Sequence, residues 1–321
     1  MKRILAYRFS AFGDVAMTVP VFREFLEQNK DVEVIFVSRK NFADLFDDVP
    51  NLKFHGVDFD QYKGLIGIRR LGREILKLYK PDYVADFHDV IRTKLIDSIA
   101  KRHGYKVFRI NKGKEEKEHL TDVWNLDKIQ LKRTLERYAD ILRSMGYQLE
   151  LSQELRSRVT ERQGIGFAPF AQHKGKMLPI EKSYELVKHL AKHDKVYFFG
   201  GGKEESEILV RWETEIPNTQ SLAGKLSLKK ELDLIARLKL MICMDSANMH
   251  LASLMGTRCV SIWGATHPYA GFLGYGQSLD DVVQVKDLTC RPCSVFGDKE
   301  CYRGDYACLE ELHVQQILDK I

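Results

Sequence analysis

The chain has 321 residues, 44% hydrophobic and 30% charged, with 50 Lys and Arg against 45 Asp and Glu. This is the composition of a folded globular protein, longer than one small core usually holds, so two domains are expected and a disordered or fibrous chain is excluded. The net charge of +5 is spread among acidic residues; it suits an anionic ligand or an anionic membrane face and is too diffuse for a nucleic-acid binder.

The opening MKRILAYRFSAFGD has the two basic residues and short apolar run of a signal peptide, but Arg8, Ser10 and Gly13-Asp14 interrupt it. No apolar run reaches the roughly 20 residues of a membrane span, and a cytoplasmic protein beginning with a strand is expected. Ile4 to Tyr7 is that strand, Ser10 to Asp14 a tight loop, and Val15 to Gln28 a helix. Val32 to Val37, Leu52 to His55, Tyr83 to Phe87 and Lys106 to Ile110 read as further strands. Helices are expected at Asn41 to Phe46, Ile66 to Leu78, Ile91 to Ala100 and Lys132 to Ser144, and Lys112 to Glu118 as a solvated loop. Alternating strands and helices predict a doubly wound parallel sheet.

The pattern lapses over Leu151 to Gln163 and then restarts. Strands follow at Gly164 to Ala168, Lys195 to Phe199 and Gln220 to Leu222, with helices at Ser183 to Lys192, Glu204 to Glu215 and Leu228 to Arg237. Leu238 to Met244 and Arg258 to Trp263 are apolar runs of strand length with a helical segment between them, a strand-helix-strand unit. Leu309 to Ile321 reads as an amphipathic helix that could pack back on the first half. The expected division is 1–157 and 158–321, two Rossmann-like halves facing across a cleft.

Ligands in parallel sheets bind at the carboxyl ends of strands, which here carry polar residues. Asp14, beside Gly13, is placed either to take a proton from a hydroxyl or to cap the following helix. Ser246 is a natural N-cap, the amides after it form an anion site, and His250 lies one turn along the same face. Asp245 precedes them and Thr266 and His267 follow the next strand. Gly200-Gly201-Gly202-Lys203-Glu204 resembles a nucleotide loop without the full G-x-G-x-x-G spacing; Glu204 or Glu205 could accept from ribose hydroxyls. Lys174 and Lys176 follow a strand and could neutralise a diphosphate. Asp58-Phe59-Asp60 has the Asp-x-Asp form of metal-dependent transferases and reads as a chance pair. Cys243 and Cys259 fall in apolar strands as core thiols. Cys290, Cys293, Cys301 and Cys308 crowd together, either as a structural zinc site or as reduced, packed thiols.

Taken together these motifs resemble glycosyltransferase family nine, the ADP-heptose:lipopolysaccharide heptosyltransferases. The resemblance lies in R-x-S-x-x-G-D-V at Arg8 to Val15, with Thr18 and Pro20. It continues in K-x-x-P at Lys176 to Pro179, D-S-A-x-x-H-L-A at Asp245 to Ala252, W-G-x-T-x-P at Trp263 to Pro268, and the cysteine-bearing tail. Many members carry Gly at the position of Ala247 and an aromatic residue at that of Leu178. The resemblance implies a GT-B fold and inverting, metal-independent transfer of a heptose-like sugar from a nucleotide-sugar, ADP-heptose, to a lipopolysaccharide-core or related glycan. The resemblance also implies that no cofactor is required for catalysis. It makes Asp14 the general base, with Arg8, Ser10 and Gly13 supporting the acceptor loop. Lys176, Ser246, Ala247 and His250 would hold the diphosphate, Glu204 the ribose, and Asp245 the donor sugar or its loop. Peripheral contact with the inner membrane is compatible with the basic excess. The rival classes are an NAD-dependent oxidoreductase, which lacks its glycine fingerprint at the first strand-helix turn, and a non-catalytic binding protein on the same scaffold.

Overall fold

Runs of apolar residues become the central strands of two parallel sheets. The computed structural model describes residues 1–321. By contacts the chain divides into two compact units, Met1–Lys112 with Thr134–Ser152, and Gly113–Arg133 with Gln153–Ile321.

In the first unit β1 (Lys2–Tyr7) leads through α1 (Phe12–Ala16) and α2 (Thr18–Gln28) to β2 (Val32–Arg39). A 3-10 turn, Lys40–Phe46, joins it to β3 (Leu52–Val57); α3 (Gly64–Tyr79), β4 (Tyr83–Asp86), α4 (Ile91–Arg102) and β5 (Lys106–Arg109) follow. The strand order is β3-β2-β1-β4-β5, with every neighbouring pair parallel. β1 is central, so Ile4 to Tyr7 are buried on both faces, as an uninterrupted apolar run requires. Helix α3 buries Ile68, Leu71, Ile75, Leu76 and Tyr79 at helical spacing, and Lys80 ends it at φ 44 just before Pro81. Strand order reverses between β1 and β4, which makes the crevice at their carboxyl ends the ligand position of this sheet.

α5 (Lys114–Leu120) belongs to the second unit, where Leu120 and Leu131 pack with Ala270; α6 (Thr134–Arg143) returns to the first. The second unit continues with β6 (Ile165–Ala168), α7 (Ile180–Leu190), β7 (Val196–Phe198), α8 (Lys203–Glu215) and β8 (Thr219–Ser221). Then come α9 (Leu228–Arg237), β9 (Leu240–Met244), α10 (Ala247–Leu254), β10 (Cys259–Ile262) and β11 (Val282–Val283), with short α11 (Ala307–Glu310) and α12 (Val314–Leu318) closing the chain. Its strand order, β11-β10-β9-β6-β7-β8, is parallel throughout and reverses between β6 and β9. The core between sheet and helices includes Phe167, Phe198, Trp212, Ile242 and Ile262. Each such side chain contributes about 1.5–3 kcal/mol by leaving water.

The structure departs from the sequence reading in several places. The first helix begins at Phe12 and breaks at Met17, so Gly13 lies inside α1 rather than in a loop. The stretch expected as a solvated loop forms α5, with Lys117 buried 4.4 Å from the Phe272 ring centroid. Residues 113–133, assigned to the first half from sequence, group with the second unit, as do residues 153–157. The last segment is two short helices rather than one, and its Leu312, Val314 and Ile317 lie in the core of the second unit. No helix is long and apolar enough to cross a membrane.

Candidate functional site

At the carboxyl end of β1 the chain turns into α1, and Arg8 and Asp14 meet across that turn. Arg8 Nη2 lies 2.6 Å from Asp14 Oδ2, and Arg8 Nη1 donates to the Phe87 carbonyl at 2.6 Å. The guanidinium also stacks 5.6 Å from the Tyr138 ring centroid, and its residue is buried. Asp14 Oδ2 accepts from the Ala11 amide at 3.3 Å, so the carboxylate closes the helix start as well as pairing with Arg8. Asp14 thus serves as a cap in the sense the sequence allowed, with Arg8 as its second partner.

His88 completes this group from the end of β4. Its Nδ1 accepts from the Phe9 amide at 3.3 Å, and its Nε2 lies 3.5 Å from Ser10 Oγ. Burial first, then the Arg8 and Lys112 charges, pushes the imidazole down to about 3, which keeps it neutral. Beneath it, Asp86 Oδ1 accepts from the His88 and Asp89 amides, both at 2.8 Å. Burial and then Asp97 push the Asp86 carboxyl up to about 6. Asp97 itself is held by Tyr7 and by Arg109, whose Nε donates at 2.9 Å. The sequence reading missed His88. Its signal was the same as for Asp245: polar residues immediately after a buried strand.

In the second unit the reversal between β6 and β9 gathers a second group. Lys176 Nζ lies 2.9 Å from Asp245 Oδ2, which also accepts from Thr266 Oγ1 at 2.8 Å. Ser246 stands in extended backbone before α10 and its hydroxyl caps no helix amide, so the first amides of α10 face outward from the strand end. Ala247 opens that helix and His250 lies buried on its first turns. The loop bearing Lys176 crosses the Trp263 to Thr266 segment at two glycines. The Ala265 amide donates to the Gly175 carbonyl at 2.7 Å, and a Cβ at Gly264 would stand 2.5 Å from that oxygen.

Arg291 ties the cysteine-bearing tail to the same segment. Its buried guanidinium donates to the carbonyls of Trp263, Gly264, Thr266 and Val285, at 3.1, 2.6, 2.9 and 2.7 Å. The sequence reading missed this residue too, because Cys-Arg-Pro-Cys drew attention to its thiols. Of the two readings of those thiols, zinc site or reduced and packed, the structure gives the zinc site no support. No group of three or more His, Cys, Asp or Glu is arranged to hold a metal ion, and all six cysteines are free. Cys293 Sγ is directed to the Ala265 carbonyl and Cys301 Sγ to Asp305, both at 3.9 Å, although the four thiols lie near enough to interact electrostatically. Asp58 of the Asp-x-Asp stretch pairs with Lys40 at 2.8 Å.

A cavity of about 530 Å³ lies in the second unit, lined by Phe170, Lys174, Leu178, Glu204, Tyr306 and Glu310 among others. Its walls are mainly apolar with a few polar groups at the edge, the usual make-up of a small-molecule site. Glu205 Oε2 accepts from the Gly201 amide at 2.7 Å and so closes the glycine loop on itself; Glu204 is exposed beside it. A loop whose amide is already taken by a carboxylate is a poor pyrophosphate cradle, which weighs against a nicotinamide cofactor there.

Residues 99–302 match the model of glycosyltransferase family 9 (heptosyltransferase). The chain is 24% identical to lipooligosaccharide heptosyltransferase 2 of Campylobacter jejuni over 317 residues, 96% of this chain and 93% of that one. Among solved structures it is similar to the family 9 glycosyl transferase of Veillonella parvula, with TM-score 0.74, 19% identity, and 99% and 96% of the two chains covered. It is also similar to the ADP-heptose LPS heptosyltransferase II of E. coli, with TM-score 0.68, 20% identity, and coverage of 100% and 97%. These structural likenesses carry the fold, which is GT-B. With two Rossmann-ordered parallel sheets and a family match over more than half its length, the chain belongs to glycosyltransferase family 9 and is a glycosyltransferase.

Proposed function

We propose that the enzyme transfers a heptose, with inversion and without a catalytic metal, from ADP-heptose to a hydroxyl of a lipopolysaccharide-core or related glycan. The observation that carries this reading is the joining of Lys176, Asp245 and the open start of α10 where the second sheet reverses its strand order. A fixed cation and outward helix amides stabilise negative charge as it develops on a departing diphosphate, the task a metal performs in other transferases. The similar proteins, a lipooligosaccharide heptosyltransferase and an ADP-heptose LPS heptosyltransferase, support the choice of sugar, nucleotide and acceptor.

In this mechanism Asp14 takes the proton of the acceptor hydroxyl, and the oxygen attacks the anomeric carbon as its bond to the diphosphate breaks. One displacement inverts that carbon. Arg8 holds and aims the Asp14 carboxylate, while Ser10 and Gly13 shape the acceptor loop. Lys176, the amides of Ala247 and its successors after Ser246, and His250 receive the diphosphate. Asp245 orders Lys176 and Thr266. The nucleoside occupies the cavity beside Leu178, with Glu204 toward the ribose, since Glu205 is engaged with Gly201. The reaction belongs on the cytoplasmic side, at the inner membrane where lipid-linked acceptors are presented.

The test is a thermal-shift screen of ADP-, UDP- and GDP-sugars, because a bound donor raises the melting temperature by mass action. ADP-heptose is expected to give the largest shift, and NMR of the product should show the anomer opposite to that of the donor. A larger shift with a UDP- or GDP-sugar, or a retained anomer, counts against the reading.

A further inference from the structure

The chain's small net charge conceals a strong local one. Helix α3 and its flanks carry Lys63, Arg69, Arg70, Arg73, Lys77 and Lys80 against a single acidic residue, Glu74. All six basic side chains belong to exposed residues on the stripe opposite the buried face. Glu74 is already engaged, accepting from the Tyr62 hydroxyl at 2.6 Å and lying 3.7 Å from Arg70.

Helix α4 extends this surface. The connections β3 to β4 and β4 to β5 run in the same direction across the sheet, and right-handed crossovers place α3 and α4 on the same side of it. They pack closely: a Cβ at Gly72 would meet Ile99 at 3.3 Å and Ile96 at 3.4 Å. α4 adds Arg92, Lys94, Lys101 and Arg102, while its one acidic residue, Asp97, is buried against Tyr7 and Arg109. The further acidic groups near the helix starts are Asp60, which is exposed, and Asp58 and Asp89, which pair with Lys40 at 2.8 Å and Lys94 at 3.2 Å.

Apolar residues stand where this basic face ends. Both helices follow strands, so both begin at the carboxyl edge of the sheet, the edge that carries Asp14 and His88. Leu65 and Ile66 at the start of α3 are 55% and 82% exposed, and Ile91 at the start of α4 is 77% exposed. Large aliphatic side chains standing in water beside clustered Lys and Arg are the two components of reversible binding to an anionic bilayer, insertion and electrostatic attraction.

We infer that the α3–α4 face docks on an anionic phospholipid bilayer, with its basic stripe against the headgroups and Leu65, Ile66 and Ile91 entering the interface. The charge complementarity selects this occupant. The inference does not depend on the sugar or nucleotide used. It adds that the edge of the sheet holding Asp14 is brought to the membrane surface.

The test is co-sedimentation of the full chain with vesicles of phosphatidylcholine alone or mixed with phosphatidylglycerol. Binding is expected only to the mixed vesicles and should weaken steeply with added salt. The variant Arg69→Gln/Arg70→Gln/Arg73→Gln should bind about 10-fold or more weakly. Leu65→Ser/Ile66→Ser should keep the salt dependence but lose the binding that persists at high salt. Leu78→Ser, at the far end of α3, should bind like wild type. Unchanged ADP affinity and circular dichroism would show that each variant is folded. Equal binding to both vesicle types, no sedimentation with either, or wild-type binding by the triple variant would overturn the inference. So would displacement from mixed vesicles by nucleic acid at equal phosphate concentration.

Discussion

Arg8 and Asp14 face each other at 2.6 Å across the turn from β1 to α1, the arginine buried and the carboxylate partly open to solvent. The arginine has a second anchor, the Phe87 carbonyl, so its direction is set independently of the carboxylate. Replacing it by methionine should leave Asp14 without its fixed counter-charge. Arg8→Met is expected to lose about 1–3 kcal/mol of stability, read by chemical denaturation. It should also lower kcat more than the donor KM. A change confined to donor KM would remove Arg8 from the acceptor side.

Lys176 is tested through the nucleotide alone. A charge-assisted hydrogen bond contributes about 1.5–3 kcal/mol, so Lys176→Ala should weaken ADP about 10-fold or more by calorimetry. His250→Ala should weaken it as well. Unchanged affinity in both variants would remove the diphosphate from the start of α10.

His88 predicts a pH dependence of stability. The unfolded imidazole takes a proton near its ordinary 6.5, whereas the folded one resists until about 3. Between those values the unfolded state binds more protons, so this contribution is complete above 6.5 and is lost as pH falls through the window. Asp86 acts in the opposite sense: its folded value of about 6 stands above the ordinary 3.8, so its contribution is lost as pH rises between them. Comparison with His88→Gln separates the two. On going from pH 7 to 4.5, wild type should lose about 2 kcal/mol more than the variant, measured by urea denaturation. Parallel losses would show that His88 is not held neutral.

Arg291 predicts a coupling between the tail and the Lys176 loop. Arg291→Met would strip four carbonyls of a buried donor and cost about 3 kcal/mol or more, seen as a lower melting temperature. Because the Ala265 amide supports the Gly175 carbonyl, ADP should also bind more weakly. A stable variant with full ADP affinity would contradict the coupling.

These residues also mark how far the sequence was legible. Continuous apolar runs such as Leu240 to Met244 announce strands buried on both faces, and polar residues just after them announce strand ends; hence Asp245 and Ser246 were readable, whereas Asp14 stood out only through the glycine beside it and lies inside α1. The family resemblance then supplied roles that periodicity alone does not contain. His88 escaped because a lone histidine after a strand gains meaning only once β4 is seen beside β1. Arg291 escaped because its partners are backbone carbonyls, which no sequence pattern displays. The four clustered cysteines left two readings open, since spacing permits a tetrahedral site but does not require one, and no group arranged to hold a metal ion is found. The basic α3–α4 face was hidden by averaging charge over the whole chain. Residues 113–133 were assigned with their sequence neighbours because Leu120 and Leu131 find their apolar partner, Ala270, far along the chain.

The most direct test is acceptor-dependent release of ADP from ADP-heptose by wild type and Asp14→Asn, with ADP affinity measured on the same preparations. Loss of a general base lowers the rate by roughly 10²–10⁴-fold. The account predicts a loss of that size in kcat with the ADP dissociation constant unchanged. Turnover by Asp14→Asn close to that of wild type would contradict it.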